Sequence, residues 1–303
     1  MSGMNHSSTN VKGLKISAVL LLIYFIAEIT VALVTGSLSL LADAAHELST
    51  VVAISVSLIA IKLTHTSPTS KRTFGFRRAE TIAALTNGIL LLGMAGFIII
   101  RGLDRLSNPV EMNAAPMFAM AIGGIGLEIA SLIIMYKGQK DNLNIRGSFW
   151  HVMNAFLGSI AVIIAAIFIQ VGQIYEADTW AGLIFAIILI YAAYGIIRDA
   201  LRILIDATPA RIDINLIEQD LKAIKGVKAT HHLHARTVGG GIETFSGHLV
   251  VRNSKNTIPV LTEAKSLLEK KYGFSLSTIQ VEDDSIFERD PKEIEYQYKE
   301  KHQ

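Results

Sequence analysis

Leu40-Leu41-Ala42-Asp43-Ala44-Ala45-His46-Glu47-Leu48-Ser49-Thr50 opens a run that is otherwise apolar as far as Ile61. A run of this length is enough to cross a bilayer as a helix, and groups able to bind a metal or a proton are costly there. Their presence marks a functional segment. A second stretch repeats the pattern, with Trp150-His151-Val152-Met153-Asn154-Ala155 preceding an apolar run from Phe156 to Ile169. His46 and His151 thus stand near the mouths of two long hydrophobic helices.

Working outward, the 303 residues are 51% hydrophobic and 18% charged, with a mean hydropathy of +0.43. The apolar residues fall in blocks and show no one-face spacing, so the chain reads as an integral membrane protein. Zero cysteines exclude disulfides and thiolate metal sites, which leaves His, Asp, Glu and backbone oxygens as metal ligands. The net charge of +2 gives no sign of a nucleic-acid partner. Met1 to Gly13 is polar and has no cleavage pattern, so the first apolar run is expected to be retained.

Six spans are expected: Leu14 to Val34, Leu38 to Leu63, Ala79 to Ile100, Ala114 to Tyr136, Phe149 to Val171 and Thr179 to Leu204. The third and fourth carry glycines (Gly88, Gly93 and Gly96; Gly123, Gly124 and Gly126) that allow helices to approach closely. Lys62, Lys71, Arg72, Arg77 and Arg78 between the second and third spans, and Lys137, Lys140 and Arg146 between the fourth and fifth, put those connections in the cytoplasm. With an even number of spans both termini are cytoplasmic.

After Leu204 the pattern changes to helix, strand, strand, helix, strand: Ile214 to Ile224, Thr230 to Thr237, Thr244 to Val251, Ile258 to Lys271 and Leu276 to Val281. This α-β-β-α-β order is that of a small ferredoxin-like α/β domain, marginal in size, so pairing with a second copy is expected. Gly239-Gly240-Gly241 reads as a hairpin turn and not as a phosphate loop, because no helix follows it. The expected domains are a cytoplasmic segment 1–13, a six-helix membrane domain 14–207, a cytoplasmic α/β dimerisation domain 208–284, and a charged mobile tail 285–303.

Gly36 through His46, Phe74-Gly75-Phe76-Arg77-Arg78-Ala79-Glu80, Asn142 through Gly147 with His151-Val152, and Leu157-Gly158-Ser159 together resemble the cation diffusion facilitator family of zinc, cobalt and cadmium efflux transporters. His231-His232-Leu233-His234 and Thr278-Ile279-Gln280-Val281-Glu282 resemble that family's cytoplasmic domain. The resemblance covers about Leu14 to Glu282. It implies a homodimer in the cell (inner) membrane, among membrane lipid, that moves a divalent metal ion, zinc first, outward in exchange for protons. It also implies a core site between the second and fifth helices and a junction pair of Arg78 with Asp206.

In the family that core site is a pair of His/Asp-x-x-x-Asp motifs. Here His46 and His151 hold the first positions, but Thr50 and Ala155 stand where the aspartates are expected. Two imidazoles and a hydroxyl leave the charge of a divalent cation uncompensated in a low-dielectric medium. Either other acids substitute, with Asp43, Glu47, Glu28 and Glu128 as candidates, or the protein is transport-impaired and acts as a dimer partner or metal sensor, or the two changes were introduced on purpose or the substrate differs. A second metal locus, resembling the family's regulatory zinc sites, groups His231, His248 and Glu282. Strand alternation puts His231 and Ala235 on one face and His232 and His234 on the other. A membrane metalloenzyme is not expected, because His46-Glu47 is followed by no second histidine.

Overall fold

A computed structural model describes residues 4–64, 69–136, 143–253 and 256–283. Six long helices come first: α1 (Met4–Thr35), α2 (Leu38–Thr64), α3 (Arg77–Ser107), α4 (Ala114–Tyr136), α5 (Leu143–Gly172) and α6 (Glu176–Leu204). Five of them have stretches long and apolar enough to span a membrane, and in α4 the apolar stretch among the described residues is Ala114–Ala130. Several helices extend past the expected bounds at their polar ends. Hydropathy marks only the bilayer-length part, whereas the backbone hydrogen-bond ladder carries α1 back to Met4 and α5 back to Leu143.

The helices pack as membrane helices do. Buried positions are rich in alanine, as at Ala42, Ala45, Ala95, Ala121, Ala166 and Ala186, while Val34, Ile100, Val171 and Tyr191 face outward. Small residues let backbones approach where no hydrophobic drive separates helix from lipid. Ala42, Ala45, Leu91, Ile98, Phe185 and Leu189 join α2, α3 and α6 in one cluster. Ala32, Leu40, Met117, Ala121, Val162 and Ala166 join α1, α2, α4 and α5 in another.

Asn87 on α3 donates to Ser49 Oγ on α2 at 2.9 Å. Gly36, at φ 71°, ends the α1 connection, and Ser37 caps α2 by accepting from the Leu40 N–H at 3.1 Å.

The described residues fall into two compact units. The second takes in the start of α3, the end of α6 and the α/β elements: α7 (Ile214–Ala223), β1 (Val227–Gly239), β2 (Ile242–Val251), α8 (Thr257–Tyr272) and β3 (Leu276–Glu282). This is the expected order. β1 pairs antiparallel with β2, and β2 pairs parallel with β3. Asp213 caps α7 by accepting from the Asn215 N–H at 2.9 Å, and Gly273 at φ 73° ends α8.

Gly240 and Gly241, both at positive φ, form the two-residue turn between Gly239 and Ile242. Ile217, Leu221, Phe245, Leu249, Val260 and Leu268 form the core between helices and sheet. Within this unit Arg78 pairs with Asp206, whose other oxygen accepts from Arg236 at 3.2 Å. The α4–α5 connection, with Lys137 and Lys140, and the tail from residue 284 lie outside the described residues.

Candidate functional site

In the membrane unit the polar groups converge from four helices. α2 supplies Asp43, His46, Glu47 and Thr50; Asp43 and His46 are buried. Offsets of three, four and seven keep these residues on neighbouring faces of one helix. α5 supplies Ser159, fully buried, whose Oγ lies 3.0 Å from Glu128 Oε1 on α4 and 3.3 Å from Asp43 Oδ2. α1 supplies Glu28, also fully buried, which accepts from the Tyr24 hydroxyl at 3.4 Å.

Two glycines permit this approach. A Cβ at Gly158 would sit 2.8 Å from Phe185 and 3.0 Å from Asp43 Oδ1, and one at Gly124 would sit 2.3 Å from the Tyr24 hydroxyl. The gap at each is the space in which a polar side chain reaches the cluster.

Of the expected core residues, His46 is buried with its ring 6.2 Å from that of Phe185. The Thr50 hydroxyl donates to the His46 carbonyl at 3.2 Å, a bond within its own helix. Ala155 is half-buried and offers no ligand atom. His151 is carried on α5, and its side chain lies outside the described residues. Asp43 and Glu128 are brought together through Ser159, a residue that sequence reasoning did not name as a site member. A serine inside an apolar run looks like packing, so its role shows only in three dimensions.

The second locus lies on the sheet. His231 Nε2 bonds Glu282 Oε1, His248 Nδ1 lies 3.6 Å from Glu282 Oε2, and Gln280 donates to that same oxygen at 2.9 Å. His231 faces His248 across β1 and β2, and Glu282 sits at the end of β3, paired with Val250. Burial pushes the Glu282 carboxyl up, but the hydrogen bonds from His231 and Gln280 and the charges of both histidines outweigh it and hold the group below the ordinary carboxylate range.

His232 belongs here too. The rings of His231, His232 and His248 lie 4.9 to 5.2 Å apart, and one nitrogen from each falls within 4.8 Å of the others, the only such grouping of metal-ligand atoms among the described residues.

The expected alternation of faces is therefore corrected. The pairing slips by one residue between His231 and His234, and His232 takes φ 52°. A β-bulge inserts an extra residue and breaks the period of two. It turns His232 toward His231, and it places Ala235, opposite buried Phe245, on the other face from His231.

Residues 14–205 match the cation efflux transmembrane domain, and residues 209–284 match the cytoplasmic domain of cation efflux proteins. The chain belongs to the cation diffusion facilitator family. Among relatives of this cation efflux chain, a cadmium, cobalt and zinc/H(+)-K(+) antiporter of Bacillus velezensis is 35% identical over 291 residues, covering 92% of each chain.

The metal cation efflux system protein CzcD of Cupriavidus metallidurans is 31% identical over 279 residues, with 92% of this chain and 88% of that one covered. A solved metal-bound C-terminal domain of the Cupriavidus CzcD transporter is 30% identical, covering 23% of this chain and 99% of that chain, with a TM-score of 0.23. The facilitator is thus a multi-pass membrane protein of a transporter family, with a small α/β domain after its helices.

Proposed function

We propose that this facilitator exports divalent metal cations, zinc foremost, in exchange for protons. It works as a homodimer in the inner membrane with both termini in the cytoplasm. Residues 14–207 form the transporting part, and 208–284 form a domain that senses metal and pairs with its copy. The observation that carries this reading is the convergence of Asp43 and Glu128 on Ser159 in the protein interior of a family member, with His46 buried one turn from Asp43 on α2.

Imidazole and carboxylate ligands suit a borderline divalent ion, and intramembrane carboxyls are suited to carry the protons exchanged for it. Relatives named as cadmium, cobalt and zinc antiporters support the same substrate class. His231, His232, His248 and Glu282 supply a donor set for a regulatory zinc ion, with nitrogen and carboxylate ligands of the kind zinc takes.

A second reading has its own observation. Thr50 has its hydroxyl engaged with the His46 carbonyl, and Ala155 has no ligand atom, so the positions where the family keeps carboxylates supply none. On this reading the protein is transport-impaired and serves as a dimer partner or metal sensor.

Purified protein in liposomes, assayed with zinc, cobalt, cadmium, manganese and iron, separates the two. Metal uptake coupled to proton movement supports export. Absence of flux for all five metals in correctly sealed vesicles leaves the regulatory reading.

A further inference from the structure

The membrane acids are arranged for more than replacing a lost aspartate. Asp43 and Glu47 stand one turn apart on α2, with Glu128 on α4 and Glu28 on α1. Glu28 is fully buried, its carboxyl lies against that of Asp43, and its Oε2 has no hydrogen-bond partner. Glu47 Oε1 and Glu128 Oε2 are likewise buried without a partner. An acceptor withdrawn from water and left without a donor is destabilising, more so when charged. Three such oxygens in one neighbourhood therefore call for a shared donor or a cation.

Ser159 makes the same demand independently. A hydroxyl has one hydrogen, yet Ser159 Oγ lies within hydrogen-bond reach of both Glu128 Oε1 and Asp43 Oδ2. It can donate to only one of them. The other contact is satisfied by a proton on the carboxyl or by a cation to which the hydroxyl turns its lone pair.

We propose that Glu28, Asp43, Glu47 and Glu128, with the Ser159 hydroxyl, form an oxygen-donor site for a hard divalent cation of the manganese type. This rests on the export reading and deepens it by naming a substrate class and a displaced place of binding. Ser159 is one turn beyond Ala155 on α5, and Glu47 and Asp43 lie one and two turns before Thr50 on α2. The site is shifted along both helices from the positions where carboxylates are missing.

Carboxylate and hydroxyl oxygens suit manganese, magnesium and calcium better than they suit softer metals, whereas a pair of imidazoles favours zinc. The carboxylates are spread more widely than the histidines of the sheet. Binding at one ion therefore requires the half-buried Glu47 and Glu128 side chains to move toward Asp43 and Glu28.

The test uses full-length protein in detergent carrying His231→Ala and His248→Ala, so that the sheet locus is silenced. Manganese(II) alone is the probe, followed by loss of the free-ion electron paramagnetic resonance signal. Flux of zinc, cobalt, cadmium, manganese and iron by the unmodified protein in liposomes is measured alongside.

The site requires one manganese ion bound per chain. Glu28→Gln and Asp43→Asn should each weaken binding by more than the roughly 10- to 100-fold that loss of an outer-shell partner costs. Ser159→Ala should weaken it less, and Glu80→Gln, outside the cluster, should leave it unchanged. If a buried carboxamide variant aggregates, Glu47→Gln at its half-buried position decides in its place.

Unchanged affinity in these acid variants, or no manganese binding beside normal zinc flux, overturns the site and leaves export standing. Manganese binding lost in the variants with no flux of any metal supports the site and overturns export.

Discussion

Asp178, in the first turn of α6, is fully buried and holds Ser39 at the start of α2 twice, accepting from its N–H at 3.1 Å and its hydroxyl at 2.5 Å. It also accepts from the Ser37 hydroxyl at 2.6 Å and the Leu38 N–H at 2.7 Å. The first N–H groups of a helix have no partner within it, and a carboxylate there both pairs them and faces the positive end of the helix dipole. Asp178→Ala leaves several buried donors unpaired. A loss of about 1–3 kcal/mol is expected, read as a lower melting temperature in detergent. An unchanged melting temperature would show that other groups cap α2.

The sheet locus predicts a zinc response. Residues 208–284 expressed alone should gain about 2.7 kcal/mol of stability at zinc 100-fold above its dissociation constant, through binding to the native state only. His232→Ala and Glu282→Ala should each reduce the gain, and thermal denaturation with and without zinc measures it. If His232→Ala behaves as the parent, the bulge does not serve metal binding.

The core positions can be tested by substitution. Thr50→Asp with Ala155→Asp places a carboxylate four residues after each of His46 and His151, on the same helix face. Zinc binding and flux are expected to rise together, and each single substitution should give less because one charge stays uncompensated. Equal zinc flux in the parent and the double variant would mean that the acids already present suffice.

A pH test falls on Asp220 in α7. Its carboxyl is held below the usual range by hydrogen bonds from Lys271, at 2.5 Å, and from Tyr272. A carboxyl lowered in the folded state stabilises the fold fully above its unfolded value of about 4, and that contribution fades as pH falls through the lower folded value. Asp220→Asn should therefore lower the melting temperature of the 208–284 domain at pH 7. The difference should shrink toward zero in strong acid, and a difference that persists there would assign the effect to shape and not to charge.

The membrane runs were readable because each is a continuous apolar block, and the α/β order was readable from its changes of period. Asp43 and Glu128 stood out for a similar reason, as charged residues inside such blocks. Other features carried no such mark. Asp178 acts on a segment 139 to 141 residues away, and nothing near it in the chain signals a cap. His232 was assigned to the wrong face because alternation assumes an unbroken strand, and a bulge is a backbone event that several sequences of similar composition share. Tyr24 and Ser159 are single polar residues in apolar helices, and only their neighbours give them a role.

The Asp178 clasp makes one end of α2 a pivot. Gly36, at φ 71°, directly precedes the clasped serines and gives the chain a swivel there. A rigid α2 held at that end has the geometry of a lever. His46 stands about 13 Å along it and the far end about 40 Å, so a tilt of about 10° displaces the histidine by about 2 Å and the tip by about 7 Å. His46 rides close to the fulcrum while the far end sweeps about three times as far, so a tilt that opens the far end shifts the histidine's surroundings much less.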